Sequence, residues 1–165
     1  MSNYLIVVVN RELARFFTLE PVDFPELESG PRILEWEGLE NPECRIPAQN
    51  LYADSKTGRG TAPQGGSVHG YDDKRDQHLD ELRRRFAMKV IERIQRFARA
   101  KESRTLVLAA SARMRRFLYP DMDSMVKRGY EIHKISKNMI NFSPQKIHAY
   151  LAETGIVPQK KREPA

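Results

Sequence analysis

Residues 104–118 read RTLVLAASARMRRFL. The run from Leu106 to Ala110 is apolar without a break, as a strand covered on both faces requires, so Arg104–Ala110 reads as a buried strand. Ser111 then suits a helix N-cap, and Ala112–Leu118 reads as a short helix that Pro120 ends. Asp121–Arg128 forms a further helical piece, and Gly129 punctuates it. Tyr130–Ile135 is the next strand, with Ile132 and Ile135 its clearest apolar positions. Strand, helix and strand in succession predict a parallel pair of strands with a helical crossover.

On the N-terminal side, Leu79, Leu82, Phe86, Val90, Ile94 and Phe97 recur at steps of three and four. Ile91 and Ala98 widen that stripe, which predicts an amphipathic helix from Asp76, its N-cap or first-turn acid, to about Lys101. At the chain start, Tyr4–Val9 (YLIVVV) is a second buried strand. After the polar break Asn10-Arg11-Glu12, Ala14–Leu19 alternates and folds back as a hairpin. Glu20–Pro31 holds three prolines and a glycine and reads as a loop; Arg32–Gly38 (RILEWEG) is a third strand. Phe16, Phe17, Trp36, Phe86 and Phe97 fall at core spacing. Near the end, Ser143-Pro144 opens a last helix with Ile147, Tyr150 and Leu151 on its apolar side, and Gly155 stops it.

Between Asn41 and Asp76 lies an irregular region whose centre, SKTGRGTAPQGGSVHGYDD, is rich in glycine. A Gly-rich loop near residues 54–75 is therefore expected, and long loops of this kind in compact domains are commonly functional or disordered. The prediction is a single α/β domain over residues 1–157, a mixed sheet with flanking helices. A basic tail follows over 158–165, with Lys160, Lys161 and Arg162, and is expected to be disordered.

Composition removes several function classes. The chain has 165 residues and a net charge of +6, with 28 Lys+Arg against 22 Asp+Glu. No apolar run approaches the roughly 18–20 residues of a membrane helix. The start lacks the basic leader and small-residue cleavage site of a secretory signal, so a soluble, cytoplasmic protein is expected. One cysteine, Cys44, allows no intramolecular disulfide. His69, His78, His133 and His148 are scattered without paired-ligand spacing, so no metal site and no cofactor are expected.

The candidate functional residues are mostly basic. Arg83, Arg84, Lys89, Arg93 and Arg96 lie on the exposed side of the long helix, where sparse acidic relief suits contact with a phosphate backbone. Arg113, Arg115 and Arg116 follow the buried strand, at the strand end where α/β sheets hold ligands. A helix start at Ser111 adds partial positive charge there. In the Gly-rich loop, glycine N–H groups beside Lys56 and Arg59 could approach an anion, though no Gly-Lys-Ser/Thr of a phosphate-binding P-loop is present. Catalysis has little support: the first strand ends in Asn10, not an acid, and Asp72, Asp73 and Asp76 read as solvent-facing or helix-start acids.

The opening YLIVVVNRELARFF, the strand and turn TLVLAASARMRRFL and the closing YEIHKISKNMINFSPQKIHAYL resemble, in that order, the bacterial family of host attachment proteins. That family is in turn similar to the middle domain of archaeal and eukaryotic class-1 translation release factors. The resemblance implies a ribonuclease-H-like fold. It places GRGTAPQGGS at the release factors' Gly-rich loop and DELRRRFAMKVIERIQRFARAK at their long basic helix. Release factors carry a catalytic Gly-Gly-Gln tripeptide. Here the letters run Gln64-Gly65-Gly66, so the catalytic glutamine does not carry over by motif.

The sequence thus points to a small, non-enzymatic factor associated with the ribosome, rRNA or tRNA, acting on idle or stalled ribosomes. Arg59, Gln64, Gly65 and Gly66 would reach a functional centre. Peptidyl-tRNA hydrolysis is a weaker variant. The alternatives are a factor supporting host or surface attachment, as the family name implies, and a protein-interaction domain.

Overall fold

The computed structural model describes residues 4–45 and 66–161. In chain order the elements are β1 (Tyr4–Val9), β2 (Leu13–Glu20), β3 (Arg32–Glu40), α1 (Pro42–Arg45), α2 (Gly66–Ala100), β4 (Thr105–Ala110), α3 (Ala112–Lys127), β5 (Glu131–Ile135) and α4 (Pro144–Glu153). The strands form one five-stranded sheet in the order β3-β2-β1-β4-β5. β1 pairs antiparallel with β2, and β2 with β3; β4 runs parallel to β1 and β5 parallel to β4. The architecture is the expected α/β mixed sheet with flanking helices in a single domain.

Both central strands are covered on two sides, which is why their sequences are continuous apolar runs. Leu5, Val7 and Val9 of β1, with Leu106, Leu108 and Ala110 of β4, face α2 and α3. There they meet Phe86, Val90 and Ile94 of α2 and Met114, Leu118, Met122 and Met125 of α3. Ile6, Val8, Val107 and Ala109 face the other way, toward Ile147 and Leu151 of α4 and toward Met139. Phe16, Phe17 and Phe86 are core residues, as expected, whereas Phe97 and Trp36 are only half-buried: Phe16 stacks on Phe97 with centroids 5.6 Å apart, and Trp36, on the edge strand, packs edge-on against Phe97. Trp36 is also tied to β2, its indole Nε1 donating to Thr18 Oγ1 at 2.8 Å.

The turn from β1 to β2 explains Asn10. Its side-chain Oδ1 accepts from the backbone N–H groups of Glu12 and Leu13, both at 2.8 Å. Asparagine suits such a side-chain-stabilised turn. At the edge, the β2–β3 pairing is irregular between Ala14 and Phe16. Opposite that irregularity Gly38 leaves no room for a side chain, since a Cβ there would lie 2.7 Å from the Ala14 carbonyl oxygen.

Four sequence expectations need correction. The long helix begins at Gly66, ten residues before Asp76, so residues 66–75 of the expected Gly-rich loop are helical and Asp76 is an interior residue rather than a cap. Glycine costs about 1 kcal/mol in a helix, and this first part lacks an apolar stripe; propagation from the packed part onward is nevertheless cheap once nucleated. Second, Pro120 lies inside α3, which runs on to Lys127 as one helix. The proline removes one backbone donor, but Met122 and Met125 beyond it are buried against the sheet and hold the second half in line. Third, acids relieve the basic face of α2 more fully than expected, because Asp80, Glu81 and Glu92 sit three or four residues from arginines. Fourth, residues 158–161 of the tail are docked. His148 Nε2 lies 2.8 Å from the Pro158 carbonyl, and the Lys161 N–H donates to the Gly30 carbonyl at 3.0 Å. Arg162 lies outside the described residues.

Candidate functional site

The parallel strands β1 and β4 end side by side, and α3 starts from that edge. The Ser111 N–H continues the pairing by donating to the Val9 carbonyl at 3.0 Å. This fixes the first turn of α3 over the end of β1. A crevice of about 500 Å³ opens there, lined by Asn10, Arg11, Ser111, Ala112 and Arg113. A second, of about 420 Å³, adjoins it between α2 and α3, lined by Asp76, Leu79, Asp80, Arg83, Arg113 and Arg116 among others. Ala112 and Arg113 line both.

Three of the sequence-selected arginines therefore converge: Arg83, Arg113 and Arg116. Asp80 sits between two of them, 2.8 Å from Arg83 Nη1 and in an ion pair with Arg116. Arg116 also lies over the Phe117 ring, 4.6 Å from its centroid. Arg84 stands alongside, 2.9 Å from Glu81 and 5.6 Å from the same ring centroid. Arg113 is exposed, and among the described residues it has no hydrogen bond or ion pair. The start of α3 lends that region partial positive charge, since the first helical N–H groups have no partner within the helix.

The other selected residues lie elsewhere. Arg115 turns inward: its Nε donates to the Ala110 carbonyl at 3.1 Å and its Nη2 to the Ser136 carbonyl at 3.0 Å. It ties the end of β4 to the segment after β5 and is a structural residue. Lys89 lines a separate surface hollow with Glu43, Arg85 and Met88. Arg93 lies over the Phe16 ring on the β3 side, and Arg96 is paired with Glu92 on its own helix. A helix turns about 100° per residue, so these cations cannot share one face. Gly66 is the first residue of α2. Arg59, Gln64 and Gly65 lie outside the described residues.

Sequence reasoning missed Asn10, Arg11 and Asp80. The spacing of Asp80 three residues before Arg83 was the available signal. Two carboxylates, Asp76 and Asp80, line the second crevice, and among the described residues no group of three His, Cys, Asp or Glu side chains could hold a metal ion. Among those residues, too, no helix is long and apolar enough to cross a membrane. The arrangement is suited to holding an anion at Arg113, with Arg83 and Arg116 already partly neutralised at its side.

No curated protein matches the chain. A family model described as "Protein required for attachment to host cells" matches residues 5–151, from the first central strand to the last turns of α4. That span takes in every strand of the sheet and both crevice-forming helices, and by it the chain belongs to the family of proteins required for attachment to host cells.

Proposed function

We propose that this protein is a non-catalytic, cytoplasmic RNA-binding factor that docks on the ribosome, through rRNA or tRNA, at the crevices where β1 and β4 end. The observation that carries this reading is Arg113: an exposed cation with no hydrogen bond or ion pair among the described residues, shared by two adjoining crevices and placed at a helix start. A net charge of +6 supports it by favouring association with polyanions. The resemblance to release-factor middle domains supports the choice of ribosomal RNA or tRNA, and with it action on idle or stalled ribosomes. The ribonuclease-H-like reading belongs here as well, supported by the mixed sheet with helices on both faces.

Sucrose-gradient sedimentation of the tagged protein from growing and starved cells, at low and high salt, is the test. The expected result is co-migration with ribosomal particles at low salt, lost at high salt and weakened by Arg113→Glu. Protein that stays at the top of the gradient in every condition would overturn the proposal.

A second reading is favoured by the family match over residues 5–151: a role in attachment to host cells. A deletion strain that adheres as well as its parent would count against it.

A further inference from the structure

The other end of the sheet carries a different kind of site. Between the start of β3, helix α4 and the docked segment 158–161 lies a pocket of about 540 Å³. Its walls include Ile33, Leu34, Ala149 and Ala152, which are apolar, and its charged lining residues are Arg32, Glu153 and Lys160. The volume falls within the range of small-molecule sites, which join apolar walls to a few polar groups.

His148 also lines this pocket and is only 4% exposed. Its Nε2 lies 2.8 Å from the Pro158 carbonyl oxygen, which can only accept, so Nε2 carries the proton and donates. The other ring nitrogen, Nδ1, has no hydrogen-bond partner among the described residues. In this tautomer Nδ1 is an acceptor, and a buried acceptor without a donor is costly. This asks for a ligand that brings a hydroxyl or N–H. Arg32 comes from β3 and Lys160 from the docked segment; against them stand Glu153 on α4 and Glu28, 3.6 Å from Arg32. Lys160 makes no ion pair among the described residues, so one cation is left for an anionic head group.

We infer that this pocket binds a small amphipathic acid: a hydroxylated carboxylate with a medium-length aliphatic body. Its hydroxyl donates to His148 Nδ1, its carboxylate meets Lys160, and its chain lies along Leu34, Ala149 and Ala152. The site is independent of the RNA-docking crevices, which lie at the opposite strand ends and on the other face of the sheet.

The test is two-dimensional NMR of the full chain titrated with 3-hydroxyoctanoate, octanoate and 1,3-octanediol. Saturable shifts confined to residues 29–34, 145–153 and 158–160 are expected for 3-hydroxyoctanoate. Octanoate, which lacks the donor, and the diol, which lacks the charge, should each bind about tenfold more weakly, the value of one charge-assisted or buried hydrogen bond. Lys160→Glu, at an exposed position, should weaken the hydroxy acid by a similar factor, and Ala149→Phe should block it by filling the pocket. Non-saturating shifts, equal binding of all three probes, or undiminished binding by Ala149→Phe would each overturn the inference.

Discussion

Two serines start two helices in nearly the same backbone conformation, Ser111 at φ −62°, ψ 155° before α3 and Ser143 at φ −65°, ψ 158° before α4. Ser143 closes its helix: its hydroxyl accepts from the Lys146 N–H at 3.2 Å, and Pro144 follows, where a missing N–H costs nothing. Ser111 makes no such bond, although its conformation allows one. The difference extends along the first turn of α3, where Arg115 is committed to two backbone carbonyls while Arg113, two residues earlier, has no partner among the described residues. A helix start used for stability satisfies its own donors. A start whose serine, N–H groups and arginine are left open forgoes part of that stability and presents an anion-attracting surface instead.

The largest test of this contrast is Arg115→Ala. It removes two charged hydrogen bonds from the junction of β4 and β5, and thermal or urea unfolding should show a loss of about 2 kcal/mol after discounting for partial exposure. A loss near zero would mean that Arg115 is as dispensable as Arg113, and the contrast would fail. Next in size, Ser143→Ala should cost about 1 kcal/mol in the same assay, the usual value of a lost N-cap. Arg113→Ala should leave stability within about 0.5 kcal/mol, as surface changes do. It should also reduce the salt dependence of RNA binding by about one phosphate contact, read from the slope of log affinity against log salt. The smallest effect is Ser111→Ala, expected to shift stability by only a few tenths of a kcal/mol because no cap bond is lost. Equal losses for Ser111→Ala and Ser143→Ala would show that solution structure caps both helices alike.

How much of this was legible in the sequence follows from which signals are local. All five strands and α4 could be read, because the unbroken apolar runs of β1 and β4 and the Ser143-Pro144 start are local signals. The first turns of α2 were hidden, since Gly66 and Gly70 argue against helix and the sequence there shows no apolar stripe. The continuity of α3 through Pro120 was equally hidden, for it depends on the sheet that Met122 and Met125 pack against. Among the site residues, the cluster at 113–116 was visible as charge. That Arg115 is spent on the backbone and Arg113 is not depends on where Ala110 and Ser136 end up, which no local pattern reveals. The pairing of Arg116 with Asp80 is of the same kind, joining two helices across the chain.

The position of β1 has a consequence for how the chain is made. β1 pairs on one side with β2, which follows it at once, and on the other with β4, which is separated from it by more than half of the chain. During synthesis the meander β1-β2-β3 is therefore complete while the second edge of β1 still lacks its neighbour. That edge belongs to a strand of unbroken apolar residues, and an unpaired apolar edge is the usual starting point for aggregation. The slow step in folding is expected to be the arrival of β4, because closing so long a loop precedes any gain from the pairing. Conditions that delay translation between β3 and β4 should therefore lower soluble yield without changing the stability of the molecules that finish.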